Sequence, residues 1–245
     1  TNGKTSTARI TESLLSSHGL RVGLMTSPHM RSVAERIRID GEQVSDHFLA
    51  SNWQDIEPVL ELVDQELSQL GQVQLTFFEA LTVLTFACFS DAPVDVAVVE
   101  VGMGGEWDAT NVVNPDVCVF TPIAMDHSEY LGESIGKIAA TKAGIIKPGS
   151  QVVSAPQNSD ASEAIRKASE VTNSTLLTMH HDFTLKSSRV AVGGQQISVA
   201  GLSREYDDLT LPLLGSHQAE NAALAIAAVE LFFGGATVPL SQEVV

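Results

Sequence analysis

The residues whose types and spacing point to chemistry are few. Thr1-Asn2-Gly3-Lys4-Thr5-Ser6 opens a helical pattern. It has the makings of the second half of a phosphate-binding loop, in which backbone N–H groups cradle phosphates, a lysine reaches the outer ones and a hydroxyl meets Mg²⁺. A bare G-K-T arises often by chance. Glu100 ends the apolar run VDVAVVEVG and is followed by Gly102, Gly104 and Gly105. A carboxylate at the carboxyl end of a strand, beside a flexible loop, is where a hard divalent cation finds an oxygen ligand, although by itself Glu100 reads slightly better as a solvated carboxylate on a glycine turn. Asp126-His127 follows the next apolar run, DVCVFTPI, and is expected at the same sheet edge. By themselves Asp126 reads equally as a turn or cap residue and His127 as a surface histidine. Lys142 sits in IAATKAGIIKPG among small alanines, which would let another group approach it closely, although a lone helical lysine is usually a solvated charge.

These residues need elements to position them, and the pattern supplies an alternation of helix and strand. Ser6–Gly19 reads as a helix ending at Gly19, and Arg21–Ser27 as a short buried strand. An amphipathic stretch covers Ser45–Leu70, and TFFEALTVLTFACFS is apolar on most faces, as a buried helix would be. VDVAVVEVG and DVCVFTPI are the continuous Val-rich runs of parallel strands covered on both sides. QVVSAP reads as a strand and ASEAIRKASEV as a helix. Thr175–Val199 reads as short strands turning at Gly193-Gly194, and GSHQAENAALAIAAVELFF as a closing helix. The fold class expected is α/β: a doubly wound, mostly parallel sheet with a few extra strands towards the C-terminal third and ligands at the strands' carboxyl ends.

Composition bounds the function. The 245 residues are 44% hydrophobic, enough for a substantial core. Asp and Glu number 30 against 14 Lys and Arg, with no basic patch, which argues against nucleic acid as a partner. A small anion remains compatible, because a helix N-terminus and one or two placed lysines make a local positive site. Cys88 and Cys118 each lie in an apolar run and read as buried thiols of a reducing compartment, the cytoplasm. No apolar run reaches membrane-spanning length.

Taken in order, TNGKTST, TSPHMRSVAERIRIDG, FFEALT, EVGMGGEWDATN, MDHSEYLG, TKAGIIKPG and LLGSHQAENAALA resemble the folylpolyglutamate synthase branch of the Mur ligases, from Thr1 to Val229. The resemblance implies the P-loop-containing central domain of that family over residues 1–233. It implies that 234–245 lead towards a C-terminal domain that closes over ATP, so that 1–245 alone would be inactive in ligation. It implies ATP bound by Asn2, Gly3, Lys4, Thr5 and Ser6, with Asn221, His217 and Gln218 near the adenine. Two Mg²⁺ ions are implied, one on Thr5 or Ser6 and one on Ser27, Glu100 and His127. Lys142 matches a lysine carbamylated by CO₂, a change that turns a long cation into a long carboxylate, and Lys4, His127 and Lys142 are the implied catalytic set. Ser27, Pro28, His29, Phe78, Glu79, Asp108 and Asn111 would face the substrate.

The implied reaction is attack of a pterin or folate carboxylate on ATP to give an acyl phosphate, which the amine of glutamate then displaces. The enzyme would be monomeric at full length. Glu106 and Thr141 depart from the family's usual residues, and a negative charge at Glu106 must point away from phosphates or pair locally. A peptidoglycan-type Mur ligase, a nucleotide switch and a non-catalytic relative are the rival readings. The first is opposed by TSPHMRSVAERIRIDG and the second by the lack of an N-K-x-D motif.

Overall fold

The buried strand expected after Arg21 is Val22–Met25 (β1), covered at all of its positions. The computed structural model describes residues 3–126, 128–243 and 245. Along the chain α1 (Lys4–Ser17) precedes β1, and β2 (Ile37–Ile39), β3 (Glu42–Gln43), α2 (Asp46–Gln69) and α3 (Phe77–Asp91) follow. Then come β4 (Val96–Val99), β5 (Val117–Phe120), α4 (Ser128–Leu131), α5 (Ile135–Ala143), β6 (Gln151–Ser154), α6 (Ser159–Val171) and β7 (Thr175–Thr178). The last part holds β8 (Thr184–Ala191), β9 (Gly194–Ala200), β10 (Glu205–Leu211) and α7 (Ser216–Phe232).

Local signals account for the helix starts. Ser45, Thr76, Ser134 and Asn158 each accept a backbone N–H from the first turn of α2, α3, α5 and α6. At α3 the cap is reciprocal, with Glu79 returning to Thr76. α7 is buried almost all round from Ala219 to Leu231, which its alanine-rich, non-amphipathic sequence allows.

The sheet departs from the expected single surface. β1 and β4 are parallel, as are β5, β6 and β7, but the two groups belong to separate sheets, ordered β3-β2-β1-β4 and β5-β6-β7. Between β4 and β5 lies a slot of 490 Å³, walled by both strands, by Thr7, Ala8, Thr11 and Leu15 of α1 and by Ala228, Val229 and Phe232 of α7. β2 and β3 add antiparallel to β1, and with three and two residues they are too short to show a periodicity in sequence. The C-terminal third holds a third sheet, β10-β9-β8, antiparallel, with a two-residue turn at Val192-Gly193.

α7 joins these layers. Its apolar residues pack with Leu14, Leu15 and Val22 on one side and with Ile197, Val199, Tyr206 and Leu209 of the antiparallel sheet on another. Cys88 and Cys118 are buried and unpaired, and burial pushes both thiols up to about 11. Among the described residues no helix is long and apolar enough to cross a membrane.

The third sheet is pinned by one buried carboxylate. Glu230, fully buried on α7, accepts from the backbone N–H groups of Leu202 (2.6 Å) and Ser203 (3.0 Å), from the Ser203 hydroxyl and from Tyr206 OH (2.8 Å). Tyr206 OH in turn accepts the Leu240 N–H at 3.0 Å, so the segment after α7 is tied to the same point. A side chain at Gly201 would meet the carboxylate at 2.7 Å, so the turn takes glycine. Removing the acceptor strands several buried donors at about 1–3 kcal/mol each. Glu230→Ala should therefore cost about 3 kcal/mol or more and lower Tm by about 6–12 °C for a domain of this size, with Glu230→Gln less damaging. Thermal unfolding followed by circular dichroism checks this, and an unchanged Tm would show that the network holds nothing.

Candidate active site

α1 begins without a side-chain cap. Gly3 is in the left-handed region at φ 90°, no acidic residue occupies the first turn, and a Cβ at Gly3 would lie 2.5 Å from Asn221 Oδ1. Only glycine fits there. The first backbone bond runs from Thr7 N–H to Gly3 C=O, which leaves the amides of Lys4, Thr5 and Ser6 at the open end of the helix dipole. Such an end attracts anions. The start of α7 supports it from beneath: Asn221 donates to Gln218 Oε1 at 3.1 Å, and Gln218 donates to Ser6 Oγ at 3.2 Å. Asn221 and Gln218 thus meet the loop itself, whereas His217 is exposed and stands against Gly215.

Glu100 closes the other side. Its N–H bonds Met25 C=O at 2.9 Å, continuing the β1–β4 ladder by one residue, and the residue is 5% exposed. Thr5 Oγ1 lies 3.0 and 2.9 Å from the two carboxylate oxygens, and the Ser27 N–H donates to one of them at 3.2 Å. Burial raises the Glu100 pKa above its ordinary value, opposed by the Thr5 hydroxyl, the Ser27 amide and the charges of Lys4 and Arg9. One hydroxyl proton and one amide proton do not exhaust the lone pairs of a carboxylate, so the group keeps capacity for a hard cation. Among the described residues no group of three or more His, Cys, Asp and Glu could hold a metal ion, and an oxygen donor beside Glu100 is the Thr5 hydroxyl.

Beyond β5 and on α5 stand the remaining charged groups. Lys142 is largely buried, and its pKa is lowered first by that burial and then by the charge of Lys4, with Asp126 and Asp108 acting in the opposite sense. Lys4, Gly102, Gly104, Asp126 and Lys142 line one cleft of 70 Å³, together with Thr121–Ala124. That is room for a few water-sized groups, a phosphoryl oxygen cluster or a hydrated cation rather than a whole nucleotide. Asn2 and His127 lie outside the described residues.

The expected substrate residues divide. The Ser27–Pro28 peptide is cis, and His29 Nδ1 accepts from Arg36 Nε at 2.8 Å. The Arg36 guanidinium lies 5.5 Å over the ring of Phe77, which also meets His29 edge-on at 6.5 Å. Phe77 and Arg36 therefore belong to this surface although neither was singled out in sequence. Both lie inside the motifs FFEALT and ERIRIDG, which would have pointed to them. Phe78 packs instead under Gly102, where an added Cβ would be 2.5 Å from its ring. Glu79 is the capping carboxylate of α3, bonded to Thr76 N–H and Oγ1 at 2.7 Å. Asp108 accepts from Met103 N–H at 2.7 Å and Thr110 N–H at 3.0 Å, and Asn111 donates to Glu106 C=O at 2.9 Å and Gly144 C=O at 3.3 Å. These last three spend polar atoms on local structure. The Glu106 side chain is exposed, with its Cβ against Gly144, which answers the charge problem raised by its sequence.

Comparison with known proteins places the fold in a family. The Mur ligase middle domain family matches residues 1–229. The dihydrofolate synthase/folylpolyglutamate synthase of Mycobacterium tuberculosis is 45% identical over 243 residues, covering 96% of this chain and 50% of that protein. The folylpolyglutamate synthase of Lacticaseibacillus casei is 37% identical, covering 99% and 56%. The solved Mycobacterium tuberculosis folylpolyglutamate synthase complexed with ADP superimposes with TM-score 0.94 at 45% identity, over 100% of this chain and 54% of that one. The chain thus spans about half the length of the curated relatives it matches. An uncapped α1 behind a left-handed glycine, a buried strand-end glutamate bonded to its threonine, and the family match over residues 1–229 lead to one conclusion: the chain belongs to the Mur ligase family, as its middle domain.

Proposed function

We propose that this chain is the nucleotide-binding part of an ATP-dependent ligase that joins glutamate to dihydropteroate, to folates already carrying glutamate, or to both. One observation carries the reading: α1's open N-terminus, Lys4, the Thr5–Glu100 pair, Asp126 and Lys142 meet at the carboxyl ends of β4 and β5. The nearest chemistry on offer in the relatives is that of proteins named dihydrofolate synthase or folylpolyglutamate synthase, one of them solved with ADP.

The donor set fits Mg²⁺ and a nucleotide. The amides at α1 and Lys4 would take phosphate oxygens. Thr5 and Ser6 hydroxyls, with Ser27, Glu100 and His127, would hold two Mg²⁺ ions, and magnesium when bound would supply charge neutralisation at the transferring phosphoryl group. Lys142, whose pKa burial and then the charge of Lys4 lower from the ordinary lysine value, is the amine suited to carbamylation by CO₂, since only the neutral form reacts. The chain's own contribution is positioning and electrostatics: anion-binding amides that need no reorganisation, and a buried carboxylate already aimed. Asn221 and Gln218 support the phosphate loop, and the Phe77–Arg36–His29 surface offers an aromatic face and a cation to a pterin and its carboxylate. Buried, unpaired Cys88 and Cys118 support a cytoplasmic setting.

The deciding assay is ADP release by the full-length gene product with ATP, Mg²⁺ and glutamate, offering dihydropteroate and tetrahydrofolate separately. Release with either supports the proposal and names the acceptor. Release with neither would remove the folate reading and favour another amino-acid ligase of the family.

Glu100 gives a second expectation. Its folded pKa is raised, so burial of the charge is not felt below the ordinary carboxylate value and opposes folding fully above the folded value. Glu100→Gln should accordingly raise Tm of the ligand-free chain at neutral pH, with the gain vanishing in acid, while Mg²⁺-dependent nucleotide binding falls at least about tenfold. Calorimetry across pH 4–8 and titration with a non-hydrolysable ATP analogue read both effects. Unchanged nucleotide affinity would remove Glu100 from the metal set.

A further inference from the structure

We propose that Asn111 is a positioning residue that fixes Lys142 against the Glu100 half of the site, acting as a bolt between two sheets rather than as a substrate contact. Glu100 ends β4 and Lys142 rides on α5, which packs with the sheet of β5, β6 and β7, and β4 and β5 share no ladder. The two groups therefore sit on different halves of the molecule. Among the described residues, the loop after β4 crosses between them at the site. Glu106 N–H donates to Thr141 C=O at 2.8 Å, and Asn111 Nδ2 donates both to Glu106 C=O at 2.9 Å and to Gly144 C=O at 3.3 Å.

The contact is backbone on backbone. A Cβ at Gly105 would lie 2.6 Å from the carbonyl oxygens of Thr141 and Lys142 and 2.8 Å from Lys142 Cα, and a Cβ at Gly144 would lie 2.5 Å from Glu106 Cβ. Glycine at both positions is thus required for the loop to lie flat on the last turn of α5. Asp108 braces the loop from within by accepting Met103 and Thr110 amides, and Thr110 is 2% exposed. Asn111 reaches out of this braced turn and satisfies a carbonyl left open at the C-terminus of α5, two residues beyond Lys142. Lys142 and the loop glycines Gly102 and Gly104 then line the same cleft. A side chain that must meet a reacting group within a fraction of an ångström depends on such a support.

The inference rests on the proposed role of Lys142 for its catalytic consequence but not for the bolt itself, and the test separates them. In the full-length gene product, Asn111→Asp keeps the size of the side chain and removes its donor. It should lower kcat for ligation at least about tenfold with KM for ATP within about twofold. In the Lys142→Ala background the same change should cost nothing further, because a residue acting only through Lys142 has nothing left to position. In the 245-residue chain, Asn111→Asp should speed amide hydrogen exchange at Gly144–Ile146, leaving exchange in β1 unchanged. Additive losses in the double variant, or unchanged exchange at Gly144–Ile146, would overturn the proposal. A wild-type enzyme that ligates nothing would remove the functional reading, and the exchange measurement would then decide the bolt alone.

Discussion

A buried carboxylate at the end of β4 sets the terms for the rest of the site. Glu100 has given up nearly all of its hydration, and what compensates it comes from α1 through Thr5, from the turn after β1 through the Ser27 amide, and from the charges of Lys4 and Arg9. Burying an ion is costly unless neighbours stand ready. Those neighbours tie α1, the turn after β1 and the end of β4 together, so the helix whose N-terminal amides are open is held by the strand-end carboxylate. An acidic chain can therefore carry an anion site: the positive character is made locally by helix amides and two lysines, independent of the net charge.

Positioning here is done largely by residues that are themselves used up. Asn221 and Gln218 spend their amides under the phosphate loop, Asp108 within the glycine loop, and Glu79 on its own helix cap. A motif that recurs around a site need not touch what the site binds. Part of its content is the internal support that keeps a few exposed groups still, and in this chain EVGMGGEWDATN is mostly support.

The parallel core was legible in sequence because its strands are buried on both faces and read as unbroken Val-rich runs, and the helices because caps and apolar stripes mark them. Glu100 was marked by its type and by the strand it follows, Lys4 and Thr5 by their place at the start of a helical pattern, and Lys142 only by its small neighbours and the family resemblance. Two things were not. The split of the parallel strands into two sheets depends on which edges meet, and a run such as DVCVF carries no record of its neighbour. The surface made by Phe77, Arg36 and His29 is a meeting of the start of α3 with the segment after β1, and the adjacent Phe78, one position on, faces inward against Gly102. Helical periodicity separates the two phenylalanines only once the helix start at Thr76 is known.

The dependence of the first helix on the last has a consequence for how the molecule comes into being. Ser6 and Gln218 are hydrogen-bonded across 212 residues, and the core around Leu14, Leu15 and Val22 is filled by the alanine-rich face of α7. A ribosome delivers residues at about 5–20 per second, so a gap of that length corresponds to about 10–40 s of synthesis. Throughout that interval the phosphate loop has emerged without the helix that supports it, and its apolar neighbours stay uncovered. The nascent chain is thus obliged to wait in an unfinished state, with the core around Leu14, Leu15 and Val22 open until α7 is made.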